Sequence, residues 1–169
     1  YDQHGRTTTI QGPQEKAAGQ AWTLRFSYSP ACATPASTDS AAPSCISSAR
    51  TEHADRQIGT DGKVSYKTDP IETILLADGV GHVLQTSKDA SVSSSAGTAA
   101  QDSMIASGRV AWDAMGRTIA QYHPTSSTKG SSNTQLQAPD SSAPPAMTEY
   151  DAQDRPVLSV QPDGTKTTM

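Results

Sequence analysis

The chain has 169 residues, of which 34% are hydrophobic, and its 13 basic and 17 acidic residues give a net charge of −4. Such a length suits one domain or one large piece of a longer protein. A single Phe and two Trp cannot fill a thick core, and the lack of a basic excess argues against nucleic acid or an anionic membrane as a partner. No apolar run approaches the roughly 18 residues that a membrane helix needs.

The predicted elements are strands throughout. Apolar residues alternate with polar ones, most clearly where Trp22, Leu24 and Phe26 share one face of a period-two segment. The segments with a strand-like pattern, in chain order, are 22–28, 64–66, 71–76, 83–86, 104–112, 117–122 and 157–160. Because no segment shows the period of a long amphipathic helix, we expect an all-β fold of repeated antiparallel hairpins. These hairpins form a curved or open sheet with no substantial helix.

Three polar stretches separate the strands, at residues 30–47, 89–103 and 123–146. They consist largely of Ser, Thr, Ala and Pro, and such a composition buries too little apolar area to order itself. We therefore predict long, mobile surface loops there. Loops of this length are unusual in a compact domain and favour strands that are threaded through a larger sheet.

We expect one segment, 1–169, that is cut from a longer protein. It begins at Tyr1 without a signal-peptide pattern, and Met169 falls within a strand-like run. Cys32 and Cys45 lie in the first polar stretch, where they form either two free thiols or a disulfide, which would stabilise by about 3 kcal/mol. Without a matching pair of histidines they do not make a metal-ligand set.

A six-residue pattern occurs four times along the chain. It consists of an aromatic residue, Asp, two variable residues, Gly and Arg. Its copies span 1–6, 77–82, 112–117 and 150–155. The residues that match it are Tyr1, Asp2, Gly5, Arg6, Asp78, Gly81, Trp112, Asp113, Gly116, Arg117, Tyr150, Asp151 and Arg155. The sequence departs from the pattern at Ala77, His82 and Asp154.

The spacing of this pattern predicts a β-hairpin turn. Asp at the first position of a type I turn accepts hydrogen bonds from backbone N–H groups just ahead, and Gly at the fourth position adopts a positive φ at little cost. The Arg that follows starts the outgoing strand, from which it reaches across or stacks on an aromatic ring. Asp61-Gly62 and Pro162-Asp163-Gly164 predict two further hairpins. Repeated hairpins gain stability by lying side by side in one sheet.

These residues resemble the YD repeat of the Rhs family, whose name comes from the Tyr-Asp pair present here as Tyr1-Asp2 and Tyr150-Asp151. Further segments resemble the Rhs-repeat region of the B-type subunits of insecticidal toxin complexes. These segments are 69–73, 78–90, 107–110 and 162–165. The resemblance covers the predicted strands and turns and leaves out the polar stretches.

The resemblance implies a secreted bacterial protein whose hairpins form a structural β-shell around a C-terminal toxic cargo, and thus a role in virulence. The implied partners are the remaining repeats of the same shell, the enclosed cargo and other toxin-complex subunits. No segment here matches the family's self-cleaving, Asp-dependent element, so the resemblance implies no catalytic residue. We therefore expect a non-catalytic, extracellular encapsulation segment that is not an enzyme and has no cofactor, metal, nucleic-acid partner or membrane span.

Two other classes of function stay open. An extracellular adhesion or carbohydrate-binding module would expose Trp22, Trp112 or Tyr122 on one surface. An enzyme would gather a histidine with carboxylates in a cleft. The four histidines are His4, His53, His82 and His123. They show neither i, i+4 pairing nor metalloprotease spacing, and the spacing of the aspartates fits no EF-hand calcium loop.

Overall fold

A computed structural model of the chain describes residues 1–29, 46–93 and 99–169. Within these ranges it contains fourteen β-strands, one α-helix of five residues and one 3₁₀ turn of four residues, so that the all-β prediction is confirmed. The chain forms two compact units, Tyr1–Ile74 and Leu75–Met169. Cys32 and Cys45, and with them the predicted disulfide, lie outside the described residues.

The first unit is built on antiparallel strands. The strands that begin in it are β1 (Thr9–Ile10), β2 (Leu24–Ser29), β3 (Ser47–His53), β4 (Arg56–Ile58), β5 (Val64–Tyr66) and β6 (Ile71–Ala77). β1, β2 and β3 pair in that order, β6 follows β3 in the sheet, and β4 and β5 form a separate hairpin. On β2, half-buried Leu24, Phe26 and Tyr28 alternate with exposed polar residues, which confirms the predicted alternation.

A short helix, α1 (Pro13–Ala17), lies between β1 and β2 in the sequence. Pro13 suits its first position, because a proline there costs no intrahelical hydrogen bond. The Glu15 side chain accepts hydrogen bonds that connect the helix to two other segments of the unit. Thr23, just before β2, donates a hydrogen bond to its Oε2 atom at 2.9 Å, and Tyr66 on β5 donates one to its Oε1 atom at 3.3 Å. The sequence does not predict α1, because five residues are too few to show a helical period.

The second unit contains two antiparallel sheets. Its further strands are β7 (Val83–Val92), β8 (Gln101–Ser107), β9 (Val110–Trp112), β10 (Thr118–Gln121), β11 (Thr125–Thr128), β12 (Ala146–Tyr150), β13 (Pro156–Val160) and β14 (Lys166–Thr168). One sheet has the order β6-β7-β8-β11, and the other has the order β14-β13-β12-β10-β9. The five-stranded sheet is therefore open, and β14 is one of its edges.

Two of the three predicted polar loops are shorter than expected, and this is a correction. β7 continues to Val92 and β8 begins at Gln101, so the strands cover much of 89–103. Within 123–146, β11 pairs antiparallel with β8, with Ser126 opposite Ile105. The backbone N–H and C=O groups of a Ser- and Thr-rich segment can form the same strand hydrogen bonds as those of other residues. Pairing with the neighbouring strand therefore orders a segment whose composition predicts a loop. The loop 30–47 lies almost entirely outside the described residues.

Buried polar groups hold the chain beyond β11 against this sheet. The Nζ atom of Lys129 lies 2.6 Å from the Asp89 carboxylate, and both side chains are largely buried. The Asn133 amide is buried as well; it accepts a hydrogen bond from the N–H of Gly130 and donates one to Ser127. These contacts make 129–133 an ordered part of the second unit, where the sequence predicts a mobile loop.

The core of the second unit is thin, in keeping with the scarcity of large apolar residues. Leu76 and Met104 are fully buried, and Ala106 and Ala120 are nearly so. Small side chains therefore fill much of the space between the few large ones. Each large side chain carries an unusual share of the apolar area that is removed from water.

We predict that Leu76→Ala lowers the free energy of unfolding by about 2–5 kcal/mol, because it leaves a cavity in the position of a fully buried side chain. Urea denaturation followed by circular dichroism measures the loss. The control is Met115→Ala, which shortens an exposed side chain and changes stability by less than about 0.5 kcal/mol. Equal losses in the two variants would contradict the assignment of Leu76 to the core.

Candidate functional site

Six turns of the described chain share one backbone conformation. They span 2–6, 59–63, 78–82, 113–117, 151–155 and 161–165. In each, the N–H of the first residue donates to the carbonyl of the fifth at 2.8 to 3.0 Å, and the N–H of the fourth donates to the carbonyl of the first. The fourth residue has a positive φ of 62° to 95°. This is the type I turn with a bulge that the sequence predicts. We number the turn residues as positions 1 to 5 and the residue before them as position 0.

In the four motif turns, position 1 is an aspartate whose carboxylate caps its own turn. The Oδ1 atom of Asp113 accepts hydrogen bonds from the N–H groups of Met115 and Arg117, both at 2.9 Å. Its Oδ2 atom accepts a third from the Nε atom of Arg117 at 2.7 Å. Asp2, Asp78 and Asp151 accept the same three bonds in their own turns, at 2.7 to 3.0 Å. The motif thus marks a turn that is fixed through its side chain as well as its backbone.

In the other two turns the aspartate is at position 3, and its carboxylate accepts fewer backbone hydrogen bonds. Asp61 and Asp163 each accept one backbone N–H of position 5, at 3.0 and 2.8 Å. Position 1 is Gly59 in one turn and Gln161 in the other. An Asp-Gly pair therefore predicts the hairpin. The aspartate three residues before the bulge residue does more, because its carboxylate accepts two backbone N–H groups of the turn.

The capping bonds keep the motif carboxylates ionised. Hydrogen bonds from the backbone and side chain of Arg6 hold the pKa of Asp2 at about 2. The backbone N–H and side chain of position 5 likewise lower the pKa of Asp113 and of Asp151. Partial burial raises the pKa of Asp78, but the bonds that it accepts from His82 and Val80 outweigh this effect and lower it.

At two positions where the sequence departs from the motif, the residue that is present still takes part in the hydrogen bonds of the motif turns. His82 takes the place of Arg, and its Nδ1 atom lies 2.8 Å from the Asp78 carboxylate. Since an ionised carboxylate only accepts hydrogen bonds, Nδ1 carries the proton. Asp154 takes the place of Gly and adopts a φ of 62°, a conformation that costs a residue other than glycine some strain. Its Oδ1 atom accepts a bond from Arg117 at 2.7 Å, a link that glycine lacks.

Successive motif turns of the second unit are joined by stacked side chains. The His82 ring stacks on Trp112, with a centroid distance of 4.6 Å and an interplanar angle of 18°. The Arg117 guanidinium lies 4.9 Å from the centre of the Tyr150 ring, and it also donates to the carbonyl of Asp151 at 3.2 Å. In both cases position 5 of one turn covers position 0 of the next. We call these stacked residues, His82, Trp112, Arg117 and Tyr150, the turn ladder.

The first unit contains a related pair. The Arg6 guanidinium lies 4.4 Å from the centre of the Tyr28 ring, and the Tyr28 hydroxyl donates to the carbonyl of Thr7. Position 5 therefore covers an aromatic ring in three of the four motif turns. The sequence predicts that the arginine can stack, but it does not show which ring is covered. That depends on the register between strands that are distant in sequence.

The structure does not gather the histidines. Among the described residues, no histidine joins a group of three metal-ligating side chains. His82 serves its turn, and His4 contacts the neighbouring side chain of Gln3.

No protein-family model matches the chain, and no curated protein matches it either. In the part of the chain that the structure describes, no helix has the length and hydrophobicity to cross a membrane.

We predict that Asp113→Ala lowers the thermal unfolding midpoint about twice as much as Asp163→Ala, because Asp113 accepts two backbone N–H groups and an ion pair while Asp163 accepts one N–H. Both aspartates stand in turns of the same conformation, so each variant controls for the other. Differential scanning calorimetry measures the two midpoints. Equal shifts would mean that the side-chain cap adds nothing to the backbone turn.

The lowered aspartate pKa values also predict a loss of stability in acid. A carboxyl group whose pKa is lower in the folded chain stabilises it above the ordinary value of about 3.9, and this contribution is lost as the pH falls through the folded value. The unfolding midpoint should stay level from about pH 7 to 5 and fall towards pH 2. In Asp113→Asn the fall should be smaller, since one such group is missing. An unchanged acid slope in this variant would contradict the assignment.

Proposed function

We propose that this chain is a non-catalytic wall segment of a secreted bacterial protein of the Rhs/YD-repeat toxin type, whose repeats form a shell around a C-terminal toxic cargo. The observation that carries the proposal is the turn ladder, in which position 5 of the second and third motif turns covers position 0 of the next motif turn. Such a link depends only on neighbouring repeats, so it suits a wall that grows by adding hairpins.

The chemistry of the turns supports a structural role over a catalytic one. Each motif carboxylate accepts two backbone N–H groups and one side-chain donor from its own turn, which leaves little of it for a substrate. Its pKa is also low, and a weakly basic carboxylate is a poor general base near neutral pH. The same hydrogen bonds restrain the turn, and a wall requires rigid turns.

The edge of the five-stranded sheet supports a continued wall. Among the residues that the structure describes, β14 pairs with β13 alone, and all three of its residues are exposed. An unpaired edge strand offers a row of backbone donors and acceptors to another strand. We expect its partners to be the remaining repeats of the same shell, with the enclosed cargo and other toxin-complex subunits as further contacts.

The surface aromatics favour the shell over an adhesion or carbohydrate-binding module. The ring of Trp22 is covered by Arg25 at 4.7 Å and that of Tyr122 by Arg109 at 5.1 Å, while Trp112 lies under His82. All three rings are half-buried. A sugar stacks on an aromatic face that is free, and each of these rings already has one face occupied by the chain itself.

A protease-protection experiment on the whole parent protein tests this proposal. We predict that its C-terminal region resists a broad-specificity protease while the repeats are folded and is degraded once urea opens them. The same C-terminal region produced without the repeats is the control, and it should be degraded at once.

The gene that encodes the chain provides an independent check. Further copies of the aromatic–Asp–x–x–Gly pattern should flank it on both sides, followed by the cargo region.

In the protease experiment, equal degradation of the C-terminal region with and without folded repeats would contradict an enclosing shell.

A further inference from the structure

Lys129 and Asp89 form an ion pair of the second unit that lies largely out of water. The Nζ atom of Lys129 lies 2.6 Å from the Oδ2 atom of Asp89, and the two side chains are 10% and 14% exposed. In the ion pair of Lys67 and Asp55 in the first unit, the lysine side chain is 50% exposed. Removing two charges from water costs free energy that their mutual attraction often fails to repay. A reaction that removes both charges of the buried pair would remove this cost.

Strand register brings a second carboxylate, that of Asp102, to the same face of the sheet. The antiparallel register of β11 and β8, carried one residue beyond the end of β11, places Lys129 opposite Asp102. In the pair of β7 and β8, Asp102 faces Ser91, and Asp89 lies two residues before Ser91 on the same face. Lys129 therefore reaches across β8 to Asp89. Its Nζ atom lies 4.0 Å from the Oδ2 atom of Asp102.

These three side chains provide the groups that amide formation requires. A lysine amine is a nucleophile, a carboxyl carbon is the atom that it attacks, and a nearby carboxylate can accept the proton that the nitrogen then loses. The contact between Lys129 and Asp89 is fixed by the fold, and fixed contact greatly accelerates a reaction between two groups. Met104, which is fully buried, faces Asp89 in the pair of β7 and β8, so the carboxyl group has an apolar neighbour.

We propose that Lys129 and Asp89 form a covalent amide bond between their side chains, with Asp102 as the proton acceptor. One proton passes from the Lys129 ammonium to the Asp89 carboxylate, which leaves a neutral amine and a neutral acid. The amine nitrogen bonds to the Cγ atom of Asp89, and Asp102 accepts a proton from this nitrogen. Asp102 returns the proton to the departing hydroxyl group, which leaves as water, and the remaining oxygen becomes the amide carbonyl. A C–N bond replaces a C–O bond, so no oxidant is needed.

The amide clamps the last strand of its sheet. In the order β6-β7-β8-β11, the bond joins the end of β11 to β7 across the strand between them. It closes the segment 89–129 into a covalent loop, which restricts the unfolded chain as a disulfide does. Unlike a disulfide, an amide is not reduced by thiols, so the bond is kept in reducing and oxidising compartments alike. The inference concerns a bond within the second unit and is independent of the shell, so either can fail alone.

Mass spectrometry of the full chain, reduced and denatured, tests the bond. The unmodified chain should be lighter than its sequence by one water molecule, and a protease digest should contain a branched peptide that joins Lys129 to Asp89. Lys129→Arg keeps a cation beside Asp89 but has no amine, so it should have the full mass of its sequence. Asp102→Asn cannot accept the proton, so it should contain the bond in a much smaller share of the chains.

A control variant separates this bond from other losses of water. Lys67→Arg changes the more exposed ion pair of the first unit and should keep the lighter mass. An Asp-Gly pair such as Asp61-Gly62 can also lose water, by closing into a cyclic imide, but Lys129→Arg leaves that loss unchanged. A full mass for the unmodified chain would overturn the inference whether or not the variants fold. A lighter mass that persists in Lys129→Arg would overturn it as well, and an unchanged share of bonded chains in Asp102→Asn would overturn the role of Asp102. Protease protection of the cargo would be unaffected in each case.

Discussion

The bond between a position-1 aspartate and the side chain four residues later organises the repeated turns. The aspartate closes the turn by accepting two backbone N–H groups, and its second oxygen holds the Arg or His at position 5. That side chain is thereby aimed at the neighbouring turn, where it meets a ring. Without the carboxylate, the turn would keep its backbone bonds, but the cation would no longer be held in place. Capping and stacking are thus two consequences of one interaction.

This arrangement compensates for a thin core. Among the described residues of the second unit, Leu76 and Met104 are the large apolar side chains that are completely buried, and the other buried apolar residues are the alanines Ala106 and Ala120. Polar contacts supply order elsewhere, as where the buried amide of Asn133 binds Ser127. Such contacts are directional, so they specify register more strictly than apolar contacts do. A sheet with little apolar area therefore holds its shape through caps, stacks and buried polar pairs.

Local spacing in the sequence was sufficient to predict the hairpins, while longer-range pairing was not. Asp113 and Gly116, three residues apart, determine their turn by themselves, and β2 shows its alternation in its own residues. The sequence does not predict β11, because its Ser and Thr residues carry no local signal and its order comes from pairing with β8. At Asp154 the sequence shows only a departure from the motif, because the bond of Asp154 to Arg117 spans 37 residues and depends on how two hairpins align.

The departures from the motif show which interaction each position makes in its turn. At position 5 a histidine replaces an arginine, and both have a flat group that binds the carboxylate through one edge and covers a ring with its face. At position 0 of the third turn, Trp112 is kept although its indole Nε1 is buried with no hydrogen-bond partner in the described part of the chain, an arrangement that costs free energy. Stacking is therefore the interaction that Trp112 serves. In the two ladder contacts a flat side chain covers a broad ring, and different residue types provide both partners.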